Sequence, residues 1–236
     1  MTAISAAATT VDRARPPTPA LSSSRERLLQ TAYALFTRYG TRTVGIDTVI
    51  AEAGVAKATL YRHFASKDEL ILAFLARREQ LWSSQWLAAE VTRRGATPAQ
   101  RLLAVFDAFG EWFTRADFEG CPFVTTMLEV SDGHHPVRRA SVAHLAILRG
   151  LLRDWAAAAG IEDADGLSHQ WHLLMNGAII AAEAGDTHAA ERARQLGLLL
   201  LRHHHVEPEP ARTPSSQQAG VASGLAPAQH RAQLVE

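Results

Sequence analysis

Cys121 followed by His134 and His135 offers a thiol and an imidazole, the two groups from which a nucleophilic thiolate is built. The spacing matches no nucleophile motif, and Pro122 beside the cysteine marks a structural turn. Eleven histidines also invite a metal. His169 and His172 would share a helix face that can chelate, and His203, His204 and His205 form a run. No Asp or Glu completes a recognisable site, and the triple histidine falls where the last helix runs into a polar tail. No Gly-rich phosphate loop, nucleophile elbow or carboxylate pair stands out either. The sequence therefore implies no enzyme, no metal and no cofactor. Its remaining chemistry is cationic.

The chain is neutral, with 24 Lys and Arg against 24 Asp and Glu, but the charges are unevenly placed. Residues 1–67 hold nine cations against four acids, a surplus of five, so the rest of the chain is equally acidic. Both lysines of the chain, Lys57 and Lys67, fall in that basic third. This is the footprint of a phosphate-binding module. Hydrophobic residues make up 47% and charged residues 20%, as in a globular chain. No apolar run is long enough to span a membrane, and the N-terminus lacks an export signal. One cysteine excludes a disulfide framework, so a reduced, cytoplasmic setting is expected.

The elements that must present those cations read as helices throughout, and the fold class is all-α. Ser23 with Glu26 forms a capping box, after which Leu28, Ala32, Leu35, Phe36 and Tyr39 recur at helical spacing until Gly40. Ile46, Val49, Ile50 and Ala53 make a short helix that Gly54 ends. In Lys57–Phe64, Leu60 and Phe64 point inward, Ala58 and Arg62 lie opposite them, and Thr59 and Tyr61 flank. Ser66 and Glu69 open a long amphipathic helix through Leu70, Phe74, Leu81 and Trp82. Two short helices joined by a Gly-containing turn, over residues 45–64, read as a helix-turn-helix. Such a turn holds the second helix out at the angle a major groove admits.

The stretch Gly54-Val55-Ala56-Lys57-Ala58-Thr59-Leu60-Tyr61-Arg62-His63-Phe64, then Ser66-Lys67-Asp68-Glu69-Leu70, closely resembles the DNA-binding domain of TetR-family transcriptional regulators. So does Ala34-Leu35-Phe36 with Tyr39-Gly40. The resemblance covers residues 22–82. It implies a double-stranded DNA operator contacted by Thr43, Lys57, Ala58, Thr59, Tyr61, Arg62, His63 and Lys67. Three positions depart from the expected pattern. Gly45 stands where a hydroxyl residue usually opens the second helix, Ala56 where Ser usually precedes the recognition-helix Lys, and Ile50 where Ala is usual. Thr43 is the expected replacement for the missing hydroxyls.

Beyond residue 82 the likeness is one of helical architecture, apart from the turn Gly120-Cys121-Pro122-Phe123. Helices are expected from Pro98 through Phe113, from Pro122 to Val130, and from Pro136 through Val142, Leu145, Leu148, Leu152 and Trp155 to Gly160. Two more follow, Asp165 to Glu183 and Thr187 to Arg202. By resemblance these last two pair with their copies in a homodimer, with Gly177, Ala178, Ala181, Ala182 and Gly185 allowing close approach. Phe106, Phe109, Trp112, Phe113, Phe123, Met127, Trp171 and Met175 could line a cavity for a small apolar or aromatic effector, and each would also serve as plain core. His144, Cys121 and Asn176 are possible polar anchors, while Arg138, Arg139, Arg149 and Arg153 are expected to face solvent. Residues 22–82 would form the DNA-binding domain and 83–205 the effector and dimerisation domain, flanked by tails at 1–21 and 206–236. Coupling is expected through the long helix from Asp68 toward Arg94. The competing reading is a helical small-molecule or metal-binding protein, or an adaptor, without specific DNA binding.

Overall fold

The computed structural model describes residues 23–208, all helix and loop with no strand among them. The expected tails lie outside the described residues, save for 206–208. Helix α1 (Ser24–Tyr39) is opened by Ser23, whose hydroxyl accepts from the Glu26 N–H. Glu26 does not close the box; its carboxylate takes both Nη atoms of Arg77 at 2.5 and 2.8 Å. That bidentate grip ties α1 to α4 and holds the Glu26 carboxyl below its usual range. Helices α2 (Ile46–Ala53) and α3 (Lys57–His63) follow, separated by Gly54 in the left-handed region. A glycine there turns the chain within three residues at no steric cost.

Helix α4 starts at Lys67–Arg78, passes through a π-helical stretch, Glu79–Leu87, and resumes as Ala88–Arg94. This stretch corrects one sequence expectation. Bonding from residue i to i+5 packs more residues into each turn, so side chains advance by less than the α-helical angle. Leu81 is carried out to solvent, and Trp82 takes the inward place in line with Phe74. The remaining helices are α5 (Pro98–Phe113), α6 (Pro122–Glu129), α7 (Pro136–Ala158), α8 (Ala164–Glu183) and α9 (Ala189–His203). Thr97 and Gln100 complete a full capping box on α5, and Pro begins α5, α6 and α7, where a missing N–H costs nothing.

Two apolar clusters hold these helices. One gathers Leu28, Phe36, Val49, Leu60, Phe64 and Phe74 from α1–α4, and Phe123, Val137 and Leu145 reach into it from α6 and α7. The other fills the space among α4, α5, α7, α8 and α9 around Phe106, Phe109, Leu152 and Trp171. Val142, expected inward on α7, is exposed; Ser141, His144 and Leu145 face the core instead. Ala178, expected between subunits, is spent inside the chain's own core.

Candidate nucleic-acid interface and the cavity behind it

Leu60 and Phe64 anchor α3 on the core, which leaves Ala58, Tyr61 and Arg62 exposed and Thr59 and His63 half-buried. Lys57 Nζ lies 3.1 Å from Asp47 Oδ1 on α2. Both partners are exposed, so the pair adds little stability and can be exchanged for a phosphate. Thr43 is exposed in the loop before α2. Neither Gly45 nor Ala56 supplies a side-chain cap, so the first N–H groups of α2 and α3 are left for water or phosphate. Lys67 opens α4 half-buried; desolvation pulls its ammonium below the ordinary value, against the Glu129 and Asp68 carboxylates.

Glu129 was missed by sequence reasoning. Its Oε2 accepts three hydrogen bonds from the α1–α2 loop: the Thr41 N–H at 2.9 Å, the Thr41 hydroxyl at 2.5 Å and the Arg42 N–H at 3.0 Å. Gly40, at φ 79°, makes room for this carboxylate, since a Cβ there would stand 2.4 Å from Glu129 Oε1. Arg138, expected in solvent, instead donates through Nη1 to the carbonyls of Met127 and Val130 at 2.6 and 2.9 Å, fixing the end of α6. His135 Nε2 adds a 3.3 Å contact to Asp68 Oδ2 at the start of α4. No spacing rule in a single sequence pairs residues 87 and 88 positions apart.

The other end of α6 borders a cavity of about 20 Å³, room for one water-sized occupant. Of the residues expected to line it, Trp112, Phe123 and Met175 do, as do His144, Cys121 and Asn176. Phe106, Phe109 and Trp171 are fully buried core, Phe113 packs at the core's edge, and Met127 packs on the α1–α4 cluster. Arg78, Trp82, Gly120, Pro122, Leu145, Leu148 and Ile179 complete the lining and were not expected there. The one available sign was Arg78 and Trp82, four apart on one helix. Trp82 and Trp112 meet at a tilt of 58° with ring centres 4.9 Å apart, and His144 lies flat on Phe123 at 3.4 Å.

The thiol–imidazole reading finds no partner geometry here. His135 serves Asp68, His134 is exposed, and burial pushes the Cys121 thiol up, away from thiolate. No group of three His, Cys, Asp or Glu that could hold a metal forms among the described residues. His169 is exposed beside Asp165, whereas His172 is buried with Asn176 Nδ2 3.5 Å from its Nε2. Desolvation first, then Arg149, His169 and His144, lower the His172 pKa to about 4. The unfolded chain therefore binds the proton between pH 6.5 and 4 while the folded chain does not. The His172 share of stability is full above pH 6.5 and is lost as pH falls toward 4, about 2 kcal/mol of it by pH 5. Thermal melts of wild type and His172→Gln at pH 7 and pH 5 check this. A wild-type loss no larger than the variant's would refute it.

Residues 28–74 match the family described as bacterial regulatory proteins, tetR family, and residues 98–196 match the tetracyclin repressor-like C-terminal domain. A TetR-family transcriptional regulator of Streptomyces coelicolor superposes with a TM-score of 0.69 at 32% identity, covering 77% of this chain and 96% of that one. The HTH-type transcriptional activator FasR of Mycolicibacterium smegmatis is 37% identical over 97 residues, 41% of this chain and 42% of FasR. The HTH-type transcriptional repressor KstR2 of Mycobacterium tuberculosis is 34% identical over 95 residues, 37% of this chain and 43% of KstR2. Each of these two curated matches thus spans less than half of the relative's length. No described helix is long and apolar enough to cross a membrane.

Proposed function

The chain belongs to the TetR family of bacterial regulatory proteins, and on that premise we propose that it is a homodimeric, sequence-specific DNA-binding transcriptional regulator, a repressor released by a small apolar or aromatic effector. The observation that carries this reading is the outward face of α3, where small, hydrogen-bonding and cationic side chains stand clear of the core. Arg62 and Lys57 read base edges; Thr43, Thr59, Tyr61 and Lys67 hold phosphates. Two copies place two α3 helices about 34–36 Å apart on an inverted repeat. An adaptor or enzyme has no use for this surface.

The cavity supports the switching half of the proposal. At about 20 Å³ it is far below the roughly 300 Å³ a drug-sized ligand needs, so an effector must push its walls apart. Two of those walls are α4 and α6, and both also hold the DNA-reading unit. A ligand that binds better with the walls apart weakens DNA binding by the reciprocal amount.

Selection of bound fragments from a random DNA pool by the full chain tests the reading, with an inverted repeat as the expected product. On that site, Arg62→Ala is expected to cost about 1–3 kcal/mol and to relax preference at one base pair per half-site. Lys67→Ala is expected to weaken all sequences alike and to flatten the salt dependence. No enrichment at all would leave the adaptor reading standing. Altered preference in Lys67→Ala with none in Arg62→Ala would reverse the two roles.

A further inference from the structure

Arg78 is the one charged side chain among the described residues that line the cavity, and no Asp or Glu lines it. Its Nη1 donates to Tyr33 Oη on α1 at 3.0 Å, and its guanidinium carbon lies 5.7 Å from the centre of the Trp82 ring. That leaves most of the five N–H groups of a rigid, planar fork without a protein acceptor in hydrogen-bond range. Two further polar atoms stand nearby. His144 is 4% exposed; its Nε2 meets Ser83 Oγ at 3.1 Å, but its Nδ1 has no hydrogen-bond partner, the Glu79 carboxylate being 3.7 Å off. The Trp82 Nε1–H is buried and equally without an acceptor. The rest of the lining is apolar, chiefly Trp112, Phe123, Leu145, Leu148, Met175 and Ile179.

Resting on the effector reading above, we propose that the effector is an apolar carboxylic acid whose carboxylate takes the Arg78 guanidinium from Tyr33 while its hydrocarbon body parts Trp82 from Trp112. A neutral ligand closing this cavity would strip water from a guanidinium that the Asp117 and Glu119 carboxylates reach only through space, and would put no acceptor in the water's place, which is costly. A carboxylate accepts two parallel N–H groups of the fork and removes that cost. An amine meets like charge, and a phosphate dianion would need a second cation that the lining does not contain. The same exchange loosens the reading unit for the movement that α6 transmits through Glu129. Arg78 sits on α4 and holds α1 through Tyr33, so drawing it into the cavity removes one of the two polar ties between these helices and leaves the Glu26–Arg77 pair as the pivot about which α1 shifts.

Matched probes that differ only in the head group test the proposal on the full chain: decanoate against decanol, and phenylbutyrate against phenylbutanol. Binding is followed by quenching of tryptophan fluorescence, Trp82 and Trp112 both facing the cavity. The acid of at least one pair is expected to bind tenfold or more tightly than its alcohol, and Arg78→Gln is expected to erase the difference. Tyr33→Phe removes the competing acceptor without altering the lining, so it is expected to tighten acid binding several-fold, which also guards against a misfolded Arg78 variant. Equal binding of acid and alcohol would overturn the head-group inference and leave the effector cavity in place. An unchanged or weakened acid affinity in Tyr33→Phe would overturn the exchange. No binding by any of the four probes would overturn both the inference and the cavity as the effector site.

Discussion

A Leu173→Glu, Leu199→Glu double variant is expected to run as a monomer and to bind the operator about a hundred- to ten-thousandfold more weakly than wild type. Leu173, Gly177 and Ile180 recur at helical spacing along one side of α8, and Leu196 and Leu199 do so on the neighbouring α9. The four large residues are 72%, 57%, 50% and 58% exposed, a contiguous apolar face that a single copy leaves in water. Closing it against a second copy contributes up to about 1.5–3 kcal/mol for each side chain fully buried. A carboxylate forced into the same seam without a partner reverses that sign. Because these positions touch water in the single chain, the variant is expected to keep its helical circular dichroism at the assay temperature while its melting temperature falls by the lost dimer coupling, so lost DNA binding cannot be ascribed to unfolding. The large factor arises because a dimer presents its second reading helix at high effective concentration once the first is seated. Sedimentation as a dimer, with operator affinity unchanged, would put the interface on another face.

Glu129→Ala is expected to cost about 3 kcal/mol of stability and to abolish release from DNA by an effector that still binds. One carboxylate oxygen satisfies three donors of the α1–α2 loop, and Thr41 is 3% exposed, so water cannot easily replace it. Hydrogen bonds to a charged acceptor are worth about 1.5–3 kcal/mol, and orphaned buried donors add their own penalty. The coupling follows from where α6 ends. Pro122 and Phe123 line the cavity, and Glu129 grips the reading unit about 10 Å further along the same rigid turns. An effector that shifts one end must shift the other. Typical couplings of about 1–3 kcal/mol correspond to a roughly 5- to 150-fold fall in operator affinity on ligand binding. The variant's ratio is expected near one, measured by operator titration with and without ligand, while tryptophan quenching shows the ligand still bound. Glu26→Ala serves as the control for a lost tie within the reading unit, of smaller cost because the pair is partly exposed, since it frees Arg77 without touching α6. Full induction in Glu129→Ala would assign the coupling to α4 alone.

Local patterns carried the helices, the turn at Gly54 and the inward pair Leu60 and Phe64, because helix periodicity and a left-handed glycine are properties of a few neighbouring residues. The basic N-terminal third and the outward chemistry of α3 were legible for the same reason. What lay beyond reach depended on register or on distance. Leu81 turned outward while Trp82 kept its place because π-helical turns changed the angle between residues, which no tally of apolar spacing contains. Ala178 and Val142 fell on the wrong sides because helix periodicity defines an apolar face but not which neighbour covers it. Phe106, Phe109 and Trp171 became core while Trp112 and Met175 reached the cavity, since aromatic type alone does not say which ring meets a gap. Glu129 and Arg78 were invisible as functional groups until the chain brought α6 to the Thr41 loop and α4 to Tyr33. The sequence by itself determined the helices, the family likeness and the outward chemistry of α3; the tertiary structure decided which carboxylate meets the Thr41 loop and which guanidinium lines the cavity, because a hydrogen bond is set by positions in space that residues far apart in the chain share only after folding.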